Sequence, residues 1–433
     1  MTRNRIISAG ATAGLAVVLV LVGGVTLGGQ SDHPAAPPGD SAVVSRPDPQ
    51  AIAGLQQQLT RQPRDWVSWA ALGTSYVDAA RTSLDPSLYP KAEQALRRSL
   101  ALRTEGNDRA LTGLGALAAA RHDFAAARTW ATRALAVNGH SATAQAVLSD
   151  AQTELGDYAA GLAAAQKLDG LEPGVTSFAR LSYHAELRGR TGEALRLMGL
   201  ALPAASAPTD TAFVRFHLGE LHRQQGRLAE ADAEYAAGLR ASPGDAACTA
   251  GRARVAVAQQ RTDEALRLYR SVVATVPATE YVTELGDVLT ALHREPEAAQ
   301  QYAVVRAQER IARSGGVNVD LELSLFDAEH GAPAAALQAA QAVWQRRRSV
   351  HAADALGWAL HAAGRDAEAL TYANAALRLG TRSAAFHYHR GVILHALGRR
   401  VAARSDLAVA MEIDPHFSVL QAPRARSLLA GLS

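Results

Sequence analysis

A pair of small residues recurs along this chain at intervals of about 34 positions, and it constrains the fold more than any other feature. Between Phe216 and Asp245, Leu218, Gly219 and His222 share one helical face, Gly226 supplies a turn, and Ala231, Tyr235 and Gly238 face back from a second helix. Pro243 closes the unit. Two helix backbones approach closely only where no side chain intervenes, so Gly219 and Ala231 mark the crossing while Leu218 and Tyr235 fill its flanks.

The same spacing continues in both directions. The first small position is filled by Gly73, Gly115, Ser149, Ser182, Gly219, Ala253, Gly286, Ser324, Gly357 and Gly391. Its partner on the second helix is Ala92, Ala127, Gly161, Ala194, Ala231, Ala265, Ala298, Ala336, Ala369 and Ala403. Leucine usually precedes the first position, with Arg252 and Arg390 as departures, and turn glycines recur at Gly156, Gly189, Gly226, Gly331, Gly364 and Gly398. This pattern resembles the tetratricopeptide repeat. The resemblance implies an all-α, right-handed α-solenoid of about ten helix-turn-helix repeats, with a concave face built from the first helix of each. A single hairpin cannot bury its apolar face, so neighbours must stack into one continuous core.

The predicted organisation is a short cytoplasmic N-terminus (1–5), a transmembrane helix or signal anchor (6–29), a proline-rich linker (30–50), repeats 1–7 (51–313), repeats 8–10 (317–416) and a C-terminal capping helix (417–433). Arg3 and Arg5 precede Ile6–Gly29, which carries no charge and as a helix matches a hydrocarbon layer about 30 Å thick. The arginines ahead of the span place the N-terminus in the cytoplasm and the repeats outside the cell membrane; a cleaved signal and a secreted module is the alternative. Extra residues at Arg81–Pro90 predict a loop or longer helix in the first repeat, and Ser314-Gly315-Gly316 predicts a hinge.

Composition excludes several function classes. Lys and Arg number 44 against 41 Asp and Glu, a formal net charge of +3, so no nucleic-acid partner is expected. Lys91 and Lys167 are the only lysines, an arginine bias that reads as a GC-rich bacterial coding sequence. No phosphate loop, dinucleotide fingerprint, nucleophile elbow or HExxH motif occurs, so no enzyme activity, cofactor or small-molecule substrate is expected. His351, His361, His387, His389 and His395 crowd the last two repeats, but their spacing does not make a tetrahedral ligand set, and no metal is expected.

The remaining chemistry lies on the inward face of the first helices. Register places Tyr183, Glu186, Phe213, Phe216, Glu220 and Arg223 there in repeats 4 and 5, Arg254 in repeat 6, and His351, Asp354, Trp358, His361, Tyr388 and His395 in repeats 9 and 10. Aromatic and arginine side chains facing solvent are what peptide-binding surfaces enrich. Family members that grip acidic C-termini use Lys, Asn and Arg in adjacent repeats; Phe216, Glu220 and Arg223, then Ala250, Arg254 and Val257, do not reproduce that clamp. The expected function is a membrane-anchored scaffold binding a partner peptide or helix in its groove. The candidate contact residues are Tyr183, Phe213, Phe216, Glu220, Arg223, Arg254, Trp358, His361, Tyr388 and His395. A secreted binding module or an envelope assembly factor is the alternative.

Overall fold

A computed structural model describes residues 49–432. A first helix, α1 (Pro49–Arg61), precedes the hairpins. The first five are α2 (Trp66–Ser83) with α3 (Leu88–Leu102), α4 (Asp108–Ala120) with α5 (Phe124–Val137), α6 (Ala142–Leu155) with α7 (Tyr158–Leu171), α8 (Val175–Glu186) with α9 (Thr191–Ala201), and α10 (Pro208–Arg223) with α11 (Leu228–Ala241). The next three are α12 (Ala246–Ala258) with α13 (Thr262–Thr275), α14 (Thr279–Ala291) with α15 (Glu295–Ser314), and α16 (Asp320–Glu329) with α17 (Pro333–Arg346). Two more, α18 (Val350–Ala362) with α19 (Asp366–Ala376) and α20 (Ala384–Ala396) with α21 (Arg400–Ile413), lead to α22 (Gln421–Gly431). The described residues contain no strand, and the architecture is a helical solenoid of repeats.

The small-residue ladder is where the hairpins cross. Every alanine at the second position is buried. A Cβ on Gly219 would stand 2.3 Å from the Tyr235 ring, and one on Gly286 2.4 Å from the Tyr302 ring. Serine substitutes by turning its hydroxyl onto the facing backbone: Ser149 Oγ donates to the Gly161 carbonyl at 2.9 Å, and Ser182 Oγ to that of Ala194 at 2.8 Å. Side-chain caps start many helices, with Asp65, Asn107, Asp123, Ser141, Asp157, Asp245, Ser349 and Ser383 each accepting from the first turn. The six expected turn glycines have positive φ, whereas His122, Gln260 and His293 adopt that conformation in three other hairpins.

The first repeat takes up its extra residues by lengthening α2 to 18 residues before a short turn. The Ser314–Gly316 link departs from the expected free hinge. Backbones of α15 and α16 stay apart there, but Tyr302 and Phe326 rings lie 5.6 Å apart across the junction and His330 bonds Asp287 at 2.9 Å. The link is also fastened from outside, by Gly315 against Pro86 and by Asn318 N–H donating to the Arg121 carbonyl at 3.0 Å.

That fastening is one rung of a seam. His122 Nδ1 meets the Asn318 carbonyl at 2.7 Å, Arg347 pairs with Glu154 at 3.0 Å, the Val350 N–H donates to Tyr158 Oη at 2.7 Å, and Thr381 Oγ1 donates to the Leu187 carbonyl at 2.6 Å. Arg223 reaches Asp414 at 3.3 Å. The sequence separations are 196, 193, 192, 194 and 191: the second, third and fourth hairpins each meet the link that enters the sixth hairpin after, and the fifth meets the link into α22. A nearly constant offset is the signature of successive superhelical turns in contact, and the first helices therefore face a shared axial interior. Among the described residues no helix is long and apolar enough to cross a membrane. The 6–29 span lies outside the described residues.

Candidate functional site

The axial interior is lined by first helices and holds the end of the chain. After α21, Pro415–Leu420 runs without helical structure along the inner face before α22 begins. Phe417 packs on Tyr388 with ring centroids 5.5 Å apart, and Val419 packs against the buried cluster that includes Leu285, Val288 and Leu289 of α14, lining the smaller cavity with Val257 of α12. Gln421 is fully buried; its amide nitrogen donates to Glu329 Oε2 at 3.0 Å and lies 3.2 Å from His389 Nε2. His389 Nδ1 is 2.9 Å from Asp354, and Trp358 Nε1 donates to the same Glu329 oxygen at 3.2 Å.

Two cavities flank this segment. The larger, about 130 Å³, is bordered by Tyr183, Glu186, Phe216, His217, Phe386 and Phe417, with Glu220, Arg223 and Asp414 at its wall. The smaller, about 70 Å³, lies between Phe417, Val419 and the charged cluster on α10, α12 and α14. In that cluster Arg254 bonds Glu220 at 3.2 Å, Glu280 at 2.5 Å and Glu284 at 2.9 Å. Arg223 and the Tyr235 hydroxyl also donate to Glu220. Burial opposes ionisation of Glu220, but the two guanidiniums and these donors hold its carboxyl far below the usual range.

The larger cavity has the opposite electrostatics. Glu186 takes a hydrogen bond from neutral Gln224, and burial raises its pKa to about 7. Burial lowers His217 and His351 to about 4, so both imidazoles are neutral at pH 7. Among the described residues no group of three His, Cys, Asp or Glu side chains is placed to hold a metal ion. The interior thus presents mixed apolar and polar groups to a stretch of chain folded in tight turns.

The expected site residues divide accordingly. Tyr183, Phe216, Glu220 and Arg223 come together at the larger cavity, and Arg254 joins them at the smaller. Phe216, Trp358 and Tyr388 were expected to face solvent, and here the structure corrects the sequence. They are only 5%, 6% and 3% exposed, because facing rings and the terminal segment cover them. His361 stacks on Trp358 at 5.0 Å and bonds Asp366. Phe213 turns away to pack on His217 at 4.4 Å, and His395 borders neither cavity. Sequence reasoning missed His217, Phe386, Asp414, Phe417 and Gln421. Asp414 and Phe417 lie in the turn between α21 and α22 and Gln421 opens α22; reading 417–433 as one capping helix hid Phe417 and Gln421.

Geometry of this kind defines a class, a helical-repeat solenoid. Residues 251–310, spanning α12 to most of α15, match the tetratricopeptide repeat family. No curated protein sequence matches the chain. Among solved structures it is similar to a tetratricopeptide repeat protein from Parabacteroides merdae, at 18% identity and TM-score 0.34, covering 60% of this chain and 98% of that one. It is also similar to the human IFIT1 dimer with PPP-AAAA, at 14% identity and TM-score 0.48, covering 76% of this chain and 77% of the other. A third is the APC/C hetero-tetramer Cut9-Hcn1, at 13% identity and TM-score 0.40, covering 90% and 96%. Likenesses at this level carry no functional argument.

Proposed function

We infer that this chain is a non-enzymatic scaffold that holds a segment of a partner protein inside its solenoid, and that residues 6–29 tether it to the cell membrane with the repeats outside the cytoplasm. One observation carries the binding half: the inner faces of α10 to α20 already accommodate a non-helical stretch of polypeptide, the tight turns of Pro415–Leu420. A surface that seats one such stretch through an aromatic contact, an aliphatic floor and buried hydrogen bonds has the ingredients for peptide capture. The tether rests on the uncharged Ile6–Gly29 run behind Arg3 and Arg5 and on the prolines that follow it.

A photoreactive amino acid placed at Tyr183, on the larger cavity, tests both halves in cells; the control is the same group at Val401, which is 87% exposed on the outer face. Irradiation is expected to give a discrete adduct from position 183 alone, recovered with the membrane fraction. Equal adducts from both positions would remove the groove assignment, and an adduct found in the medium would remove the tether.

A further inference from the structure

The terminal segment fits its groove incompletely. Phe417 has a cavity on either side, of about 130 and 70 Å³. Gln421 Oε1 is buried without a hydrogen-bond partner. Asp414 meets Arg223 at 3.3 Å, longer than the roughly 2.7–2.9 Å of a well-formed charge-assisted bond. A buried polar atom left unpaired and unfilled space beside a ring both weaken an interaction that is otherwise specific.

The contacts nevertheless specify a chemistry. Arg223 presents a guanidinium to a carboxylate, Tyr388 presents a ring to an aromatic side chain, Val257 and Val288 form an aliphatic floor, and Glu329 accepts from an amide. Along the chain these fall at Asp414, Phe417, Val419 and Gln421. We propose that the groove's partner is a turn-forming segment of another protein bearing a carboxylate, an aromatic residue three positions on, an aliphatic residue two beyond that and an amide two further, and that it binds by displacing residues 414–421. The inference rests on the scaffold reading above and names its ligand. The internal segment acts as a tethered competitor: it holds the groove closed to weak or mismatched chains and yields to one that fills the cavities. Tethering gives such a competitor an effective concentration on the order of millimolar, so displacement demands a better-fitting chain.

The test uses the full chain and a fluorescent peptide with the sequence of residues 412–422. In a variant carrying Phe417→Ser and Val419→Ser, the weakened competitor should let the peptide bind about tenfold or more tighter than to the parent chain, read by fluorescence anisotropy. Adding Arg223→Gln should then weaken binding about tenfold, through loss of the guanidinium–carboxylate bond. Equal binding by parent and variant, with both folded by circular dichroism, overturns the proposal. Should the variant not fold, hydrogen exchange on the parent decides. Excess unlabelled peptide should raise exchange across residues 414–422, and unchanged protection overturns the proposal. Peptide binding that falls as the parent concentration rises also overturns it, assigning the groove to the end of a second copy. A crosslinked partner at position 183 together with a peptide that never binds would leave the scaffold reading standing and remove only this one.

Discussion

The seam and the groove are both places where distant parts of the chain meet, yet they are built to different standards. At the seam, polar groups of one turn find complementary groups of the next: Glu154 and Arg347 are both buried and 3.0 Å apart, and backbone groups of Arg121, Leu155, Leu187 and Val350 take part directly. In the groove the last rung of the seam, Arg223 to Asp414, is a stretched side-chain contact at 3.3 Å, an amide oxygen is orphaned and cavities persist. Backbone contacts repeated at a constant offset fix a superhelix; side-chain contacts with voids leave an occupant exchangeable. The contrast teaches that the first is frame and the second is site.

The largest effect should come from breaking a seam ion pair. Arg347→Ala leaves Glu154 buried without its counter-charge and removes the guanidinium that sits 5.2 Å over the Phe124 ring. Removing one partner of a buried pair costs roughly 3–5 kcal/mol, whereas replacing both by leucine is close to neutral. Urea denaturation followed by circular dichroism should show this cost for Arg347→Ala and its recovery in the double variant. A single variant that costs no more than Phe417→Ser would dissolve the distinction between frame and site.

Two glycines sharpen the same contrast at a smaller scale. Gly189 and Gly364 both occupy hairpin turns with positive φ, +66° and +75°. A Cβ on Gly189 would stand 2.3 Å from the Gly380 carbonyl across the seam, while one on Gly364 would meet nothing within 4 Å. Gly364→Ala should therefore cost about 1 kcal/mol from left-handed strain alone. Gly189→Ala adds a backbone clash and should cost about 3 kcal/mol. Equal shifts in the denaturation midpoint would mean that the seam contributes nothing at this rung.

How much of this was legible in the residues follows from the range of each interaction. The crossing of two helices is decided within one hairpin, so Gly219 and Ala231 announce it, and their recurrence announces the solenoid. Turns were legible where glycine supplies the left-handed residue and invisible at His122, Gln260 and His293, where a residue with a Cβ takes that conformation. Register puts Tyr183, Glu220, Arg223 and Arg254 on one face of their helices, because the face of a helix is a local property, and these side chains border the two cavities. The cover over Phe216, Trp358 and Tyr388 was not legible. It comes from neighbouring rings and from a segment that folds back across several hairpins, and the superhelical pitch behind it is the sum of small rotations that no single residue encodes. The seam was hidden for the same reason, its partners lying more than 190 positions apart.

The smallest effect is a pH dependence that separates the two regions by sign. Glu186 borders the larger cavity with a neutral hydrogen-bond partner, and its folded pKa, raised by burial to about 7, lies above the unfolded value near 4.5. A carboxyl raised in the folded state favours folding while protonated. Its contribution is complete below about pH 4.5 and is lost as pH rises through about 7. Glu186→Gln removes that loss, so the variant should match the parent at pH 4.5 and exceed it at pH 8. The gain should be about 1 kcal/mol once solvent in the cavity is allowed for. Neutral His217 beside it behaves oppositely. With a folded pKa near 4, it withholds a proton that the unfolded chain takes up, so stability falls as pH drops from about 6.5 toward 4. His217→Gln should flatten that acid limb in the denaturation midpoint while leaving the alkaline one unchanged. An acid limb that survives His217→Gln would shift its origin to other buried histidines such as His184 and His351, which titrate near the same value. A cavity whose carboxyl is stabilised by protonation and whose imidazole is stabilised by deprotonation is least charged between about pH 4 and 7, where both groups are neutral. That is the condition in which an apolar side chain beside Phe417 enters it at the smallest desolvation cost.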